Sequence, residues 1–208
     1  AETLSGLLIC WLLDPDSTVI CGPRAMVTDL RTGGMAGGSG EQAQTTSLLS
    51  QMMHYYKIPN SSIAGASDSS IPDYQAGYEK ALSIATSAQS GANLITQASG
   101  MLSGLMGVSL ESFVLDNELC GSILSSMRSI DVPVLTNDLE SIRQVIERDK
   151  HFLGESDTLK RMSTDFDYPK SAKRLSPELW MKEKDNTMLN EARNCLLYTS
   201  DAADDVAS

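Results

Sequence analysis

The chain has 208 residues, with 16 Lys and Arg against 27 Asp and Glu and a formal charge of -11 at neutral pH. A surface of that sign repels a phosphate backbone and argues against nucleic acid as a partner. The longest apolar run, Leu7 to Leu13, falls short of the roughly 20 residues that a membrane span takes, so no anchor is expected.

The first residue is Ala1, and the opening segment already reads as the interior of a helix, with no basic start of a secretory signal before it. This predicts a fragment of a longer protein. After the turn Asp14-Pro15-Asp16, Thr18 to Gly22 is a short β-branched run that reads as a buried strand. A Gly-rich loop through Gly33, Gly34, Gly37, Gly38 and Gly40 follows. Leu48, Leu49, Met52, Met53 and Tyr56 recur at helical spacing and predict a helix over Glu41 to Lys57, stopped by Pro59. Ser62 to Gly65 reads as a second strand. Gln75 to Ser90 reads as a helix capped by Gly91, and Ala92 to Thr96 as a third strand. Ser109 to Ser129 is predicted helical, with Leu110, Phe113, Val114, Asn117, Gly121 and Leu124 on one stripe. Val132 to Leu135 is a possible fourth strand, confined by Pro133 to a start or an edge. Residues 150 to 194 lose the strand signal, and Ser176-Pro177-Glu178 has the pattern of a helix start.

Strand signals about 30 to 45 residues apart, with helices between them, predict an α/β fold of βα units on a parallel sheet. Open sheet and barrel both fit. A closed (β/α)8 barrel takes about 250 residues, so this chain holds at most half of one. The expected organisation is a partial barrel over 1–150 and a helical C-terminal extension over 151–194. Residues 195–208 resemble the translated adapter of a sequencing library; leaving them out removes Asp201, Asp204, Asp205 and Cys195, and the chain stays acidic. Cysteines at 10, 21, 120 and 195 lack metal-ligand spacing and predict reduced, buried thiols in a cytoplasmic protein. Only two histidines, His54 and His151, are present, so no metal site is expected.

In either architecture, ligands bind where the chain leaves the carboxyl ends of the strands. The candidates there are Asp29, Arg31 and Thr32, then Ser67, Asp68, Asp73 and Gln75, then Gln97 and Ser99. Three acids with few bases around them form a rim suited to a cation. The plainer reading is that Asp68 and Asp73 cap turns and the helix near Gln75. A phosphate loop is disfavoured, because the Gly33 to Gly40 segment lacks a Gly-Lys-Ser/Thr ending and Gly22-Pro23-Arg24 is no dinucleotide fingerprint. Asn117, on an apolar stripe, is expected to tie its helix to a loop, since an unpaired buried amide costs about 1 to 3 kcal/mol. Tyr55, Tyr56 and Tyr78 read as helix packing before they read as a cation-binding cage.

Several strings carry a resemblance in their order and spacing. They are Thr28-Asp29-Leu30-Arg31-Thr32-Gly33, Gly38-Ser39-Gly40-Glu41, Ser67-Asp68-Ser69, Pro72-Asp73-Tyr74-Gln75-Ala76-Gly77-Tyr78-Glu79-Lys80, Gly91-Ala92-Asn93-Leu94-Ile95 and Asp116-Asn117-Glu118-Leu119-Cys120-Gly121, continued by His151-Phe152-Leu153 and Tyr168-Pro169-Lys170. Over residues 1–194 the chain resembles the C-terminal part of the trimethylamine methyltransferase family. The resemblance implies the C-terminal half of a TIM barrel with a helical cap. It also implies an enzyme of one-carbon metabolism, including methanogenesis, that moves a methyl group from a tertiary or quaternary amine, such as trimethylamine or glycine betaine, to cobalt. The acceptor is the Co(I) corrinoid of a separate protein, so the partners implied are that corrinoid protein and a small methylated amine, with no cofactor held directly and a homo-oligomer possible. On this reading Asp29, Asp68 or Asp73 supplies negative potential near the substrate, Arg31 meets a substrate carboxylate where the substrate has one, and Gln75 and Asn93 orient polar groups. Glu41, Asn117 and Glu118 are supporting residues, and no catalytic residue is assigned. Gly40 stands where family members commonly carry Pro. One branch of the family uses pyrrolysine to activate trimethylamine; none appears here, which tilts the expectation toward a betaine. The competing expectations are a barrel lyase or aldolase on a phosphorylated substrate, and an amine-binding homologue without catalysis. The fragment is expected to be inactive alone and prone to aggregate.

Overall fold

The computed structural model describes residues 1–129, 136–148, 151–183 and 187–206, without the side chains of 136–138 and 200–206. Helix α1 (Glu2–Leu13) has no buried residue, and Leu4, Leu8, Ile9, Trp11, Leu12 and Leu13 are all exposed. Helix α2 (Gly40–Tyr55) starts where Ser39 accepts a hydrogen bond from the Gln42 N–H, with Glu41 placed favourably in its first turn. Strand β1 (Ser61–Ile63) leads to helix α3 (Tyr74–Gln89), whose N-cap Asp73 accepts from the Ala76 N–H. Strand β2 (Leu94–Thr96) then runs parallel to β1, with Ser61 opposite Leu94 and Ile63 opposite Thr96.

The strand predicted over Thr18 to Gly22 is only a one-residue bridge. Cys21 pairs in parallel with Asn60, its N–H donating to Pro59 (2.9 Å) and its carbonyl accepting from Ser61 (2.7 Å). Pro23 has no N–H to extend the ladder, and Ile20 remains 54% exposed, so β-branched propensity finds no further pairing. Adjacent segments therefore follow sequence order, Cys21 then β1 then β2, joined by α2 and α3. The two helices pack on each other, α2 also on β1 and α3 on β2. These are two parallel crossovers of an α/β fold.

Alternation along the strands sorts their side chains. Ser62 bonds Ser87 on α3, and Ile95 packs on a small core of Ala64, Ile84 and Ile123 completed by Ala85, Ala88, Ala98, Leu119 and Cys120. Ser61, Ile63, Leu94 and Thr96 point to the opposite face. Gly65, at φ +90°, allows the close approach beyond the strands, because a Cβ there would lie 2.7 Å from the Cα of Ala98.

A short hairpin of β3 (Met101–Leu102) and β4 (Gly107–Val108) precedes α4 (Leu110–Ser126), which is capped by Ser109. The stripe expected on α4 is corrected: Phe113 and Leu124 are more than half exposed and Asn117 is exposed, whereas Ser112, Asp116 and Ile123 are buried. Asn117 thus has no buried amide to satisfy. Its neighbour Asp116 turns inward because a lysine waits for it, as described below. Four further helices follow, α5 (Thr136–Glu147), α6 (Ser156–Thr164), α7 (Pro177–Lys182) and α8 (Met188–Val206). Ser176 caps α7, and α8 packs on α4 and continues without a break past Cys195. The possible fourth strand at Val132 to Leu135 lies outside the described residues. Among the cysteines only Cys21 is buried; Cys10 and Cys120 are half-buried and Cys195 is exposed, a correction to the expectation of buried thiols. No helix among the described residues is long and apolar enough to cross a membrane.

Candidate functional site

The carboxyl end of β1 leads through Ala64-Gly65-Ala66-Ser67 to Asp68, and the start of α3 brings a second acid beside it. Glu79, only 5% exposed, accepts from the Ser67 hydroxyl (2.7 Å), the Asp68 N–H (2.8 Å) and the Gln75 side-chain amide (2.8 Å). Asp68 in turn accepts from the N–H groups of Gly37 (3.0 Å) and Gly38 (3.3 Å), which fastens the root of the Gly-rich loop. Gly38 must be glycine for this approach, since a Cβ there would lie 2.4 Å from the Glu79 carboxyl group. Burial raises the Asp68 carboxyl above the usual aspartate range; the two glycine amides act against that and the Glu79 charge adds to it. Tyr78 leans on the same carboxylates. Burial, with the charge of Glu79 and a hydrogen bond to it, pushes its hydroxyl up, and its ring lies 5.7 Å from that of Tyr74 in a tilted pair.

The residues expected at the rim divide into three groups. Asp68 and Gln75 meet at Glu79, and Asp73 adjoins them through a bond to Ser69 while capping α3. Asp29 and Arg31 sit at the tip of the hairpin closed by the Thr28 to Met35 bridge and bind each other, with Nε and Nη2 of Arg31 donating to the Asp29 carboxylate at 3.0 and 2.7 Å. That fork holds Asp29 down at about 2 and uses the guanidinium that was expected to meet a substrate carboxylate. Asn93 lies at the amino end of β2, away from the rim, and its side-chain oxygen accepts from the Asn60 N–H (3.0 Å).

The supporting residues are also separate from one another. Glu41 is exposed on α2, whereas its neighbour Gln42 is buried and spans from the Val27 N–H (2.8 Å) to the Ala25 carbonyl (3.0 Å). Glu118 accepts from the N–H groups of Lys170, Ser171 and Ala172 at 2.7 to 2.9 Å, pinning the C-terminal segment to α4. Burial would raise its carboxyl, but those backbone amides outweigh burial and hold it below the usual glutamate range.

Sequence reasoning missed Glu79, Lys80 and Asp116. Lys80 and Asp116 form an ion pair at 1% and 5% exposure, and Asp116 also accepts from the Gly100 N–H (2.7 Å), so the loop after β2 is clamped between α3 and α4. A cavity between α1 and residues 19–25, apart from the Asp68 and Glu79 corner, has a mixed lining in which Leu7, Ile20 and Leu49 stand beside Glu2, Thr3 and Arg24. Among the described residues no three His, Cys, Asp or Glu side chains gather at metal-ligand spacing.

Comparison with known proteins agrees with the strings that carry the resemblance. A family model described as trimethylamine methyltransferase (MTTB) matches residues 1–198. A glycine betaine methyltransferase of Desulfitobacterium hafniense (strain Y51) is 31% identical over 88% of this chain and 38% of its own length. The trimethylamine methyltransferase MttB of Methanosarcina thermophila is 35% identical over 70% of the chain and 30% of its own length. A proline betaine:corrinoid methyltransferase of Eubacterium limosum is 32% identical over 64% of the chain and 27% of its own length. The chain thus spans less than two fifths of the relatives it matches. With most of its length under the family model, the chain belongs to the trimethylamine methyltransferase (MTTB) family.

Proposed function

We propose that the whole protein is a cytoplasmic enzyme that transfers a methyl group from a tertiary or quaternary amine to the Co(I) corrinoid of a separate partner protein. On this reading residues 1–150 form one side of a TIM barrel, 151–194 a helical extension and 195–208 a foreign tail. Parallel segments adjacent in sequence order, with α2 and α3 together against them, support a barrel wall. The observation that carries the activity is the Asp68 and Glu79 carboxylate pair beside the Tyr74 and Tyr78 rings at the carboxyl end of β1.

A methylated ammonium presents a diffuse positive charge that carboxylates and aromatic faces attract, the latter within about 6 Å. When Co(I) takes the methyl group, the N–CH3 bond breaks with its electron pair left on nitrogen, and a quaternary amine leaves neutral without a proton donor. The protein's contribution is then placement and electrostatics. A phosphorylated substrate fits less well, since the Gly37 and Gly38 amides that would cradle a phosphate already hold the Asp68 carboxylate.

The test uses the full-length protein with its corrinoid partner and follows methyl-cobalt formation spectroscopically. A unit charge about 4 Å away contributes about 4 kcal/mol at an effective dielectric of 20, and partial screening leaves an expected 10- to 100-fold loss of kcat/KM in Asp68→Asn. Because the Asp68 carboxyl lies above its ordinary range, it is ionised above that raised value and neutral below it. Wild-type kcat/KM is therefore expected to fall as pH drops through the raised value, and Asp68→Asn to flatten that limb. Unchanged transfer in Asp68→Asn with the acid limb intact would refute the assignment.

A further inference from the structure

We infer that Arg24 is the residue that tells a betaine from a simple methylated amine, by receiving the substrate carboxylate at the carboxyl end of the parallel segments. The inference rests on the methyl-transfer reading above and adds to it the anionic half of the substrate. Arg24 follows the Cys21 bridge by three residues and reaches across two segments, its Nη1 donating to the Thr96 hydroxyl (3.2 Å) at the last position of β2. Thr96 itself donates to the Ser62 carbonyl (3.2 Å), so its hydroxyl is turned to accept from Arg24. Gly22 makes the reach possible: a Cβ there would lie 2.9 Å from the Ser61 Oγ and 3.2 Å from the Arg24 Nε. The guanidinium accordingly lies over Ser61 and Thr96, on the face of the strands turned away from α3.

A guanidinium carries five N–H donors in a fixed fork. In a chain with 27 acids, Arg24 has no carboxylate partner among the described residues and spends one donor on a neutral hydroxyl. Arg31, the other cation expected at the rim, is consumed by Asp29. A carboxylate takes the free side of such a fork through two charge-assisted hydrogen bonds, which an uncharged or purely cationic amine cannot do. The site therefore suits a small zwitterion with a quaternary ammonium at one end and a carboxylate at the other.

The experiment compares glycine betaine with tetramethylammonium in the full-length protein, by steady-state methyl transfer and by calorimetric binding. Arg24→Ala is expected to raise the ratio of KM for glycine betaine to KM for tetramethylammonium by about 10- to 100-fold, the range for lost hydrogen bonds to a charged group. Arg24→Lys restores part of the ratio, and Gly22→Ala shifts it the same way while keeping the charge. Gly22→Ala, together with thermal unfolding of each variant, separates the effect from a failure to fold. A ratio unchanged in Arg24→Ala, or both ligands weakened equally, overturns the inference; equal weakening is also the outcome if an acid elsewhere in the full-length protein pairs with Arg24. Absence of methyl transfer from any amine sinks the parent reading alone, since selective loss of glycine betaine binding in Arg24→Ala still upholds the subsite. Binding of neither ligand by the wild-type protein sinks both.

Discussion

Glu79 is surrounded by donors: the Ser67 hydroxyl and Asp68 N–H on one oxygen and the Gln75 amide on the other. A carboxylate accepts on both oxygens, whereas an amide accepts on one only and satisfies its NH2 only if Gln75 turns over to present its own oxygen, so charge-assisted bonds give way to neutral ones. Glu79→Gln is thus expected to lose about 1 to 3 kcal/mol of stability despite its near-identical shape, read as a lower urea midpoint at constant slope. An unchanged midpoint would mean that Glu79 does not organise this corner. The site was legible only in part from residue types. Asp68 stands out as an acid after a strand, but Glu79 sits one turn into a helix, where an acid ordinarily faces water. Its burial depends on Gly38, forty-one positions upstream, leaving room for the carboxyl group. That is a contact between loop and helix with no signature in the periodicity of either segment.

Helix positions were legible because apolar spacing and caps are both local. Ser39, Asp73, Ser109 and Ser176 each accept from a backbone N–H three residues on; Asp73 and Ser176 were read as caps from the sequence, while the helices after Ser39 and Ser109 were read from their apolar spacing. Strand pairing is not local, and the β-branched run at Thr18 to Gly22 joins the sheet only at Cys21. The inward face of α4 was misread for a related reason. Hydropathy favours the stripe through Phe113 and Leu124, but Asp116 turns inward to meet Lys80 on α3. That pair sets the orientation of the helix and has a testable energetic signature. Asp116→Asn keeps an acceptor for the Gly100 N–H but strands the buried ammonium, and Lys80→Met strands the carboxylate. Each is expected to cost about 3 to 5 kcal/mol. The double variant removes both charges, keeps the Gly100 acceptor and should recover most of the loss, giving a coupling of several kcal/mol in a urea-denaturation cycle. Additive single losses would show that the two groups do not depend on each other.

At the scale of the whole chain, apolar surface is unevenly covered. The core around Ala64, Ile84 and Ile123 is built of small side chains and serves one face of the strands. On the other side Leu94 is 48% exposed, and α1 leaves Leu8, Ile9, Trp11, Leu12 and Leu13 each more than half exposed. Apolar surface of this kind marks an interface or an aggregation liability, and among the described residues the parallel segments Cys21, β1 and β2 have no further strand paired at either edge. The relatives are more than twice this length, and on the barrel reading proposed above the further strands and helices of such a longer protein are the natural cover. Residues 1–208 expressed alone are therefore expected to bind a hydrophobic dye strongly and to form concentration-dependent oligomers in light scattering, while the full-length protein shows neither. Trp11 supplies a direct reporter: exposed in the isolated chain, it should emit at longer wavelength and be quenched by iodide, and both effects should diminish in the full-length protein. A monodisperse, dye-silent 1–208 with a shielded Trp11 would mean that α1 is covered from within the chain and that the open face needs no barrel to close it.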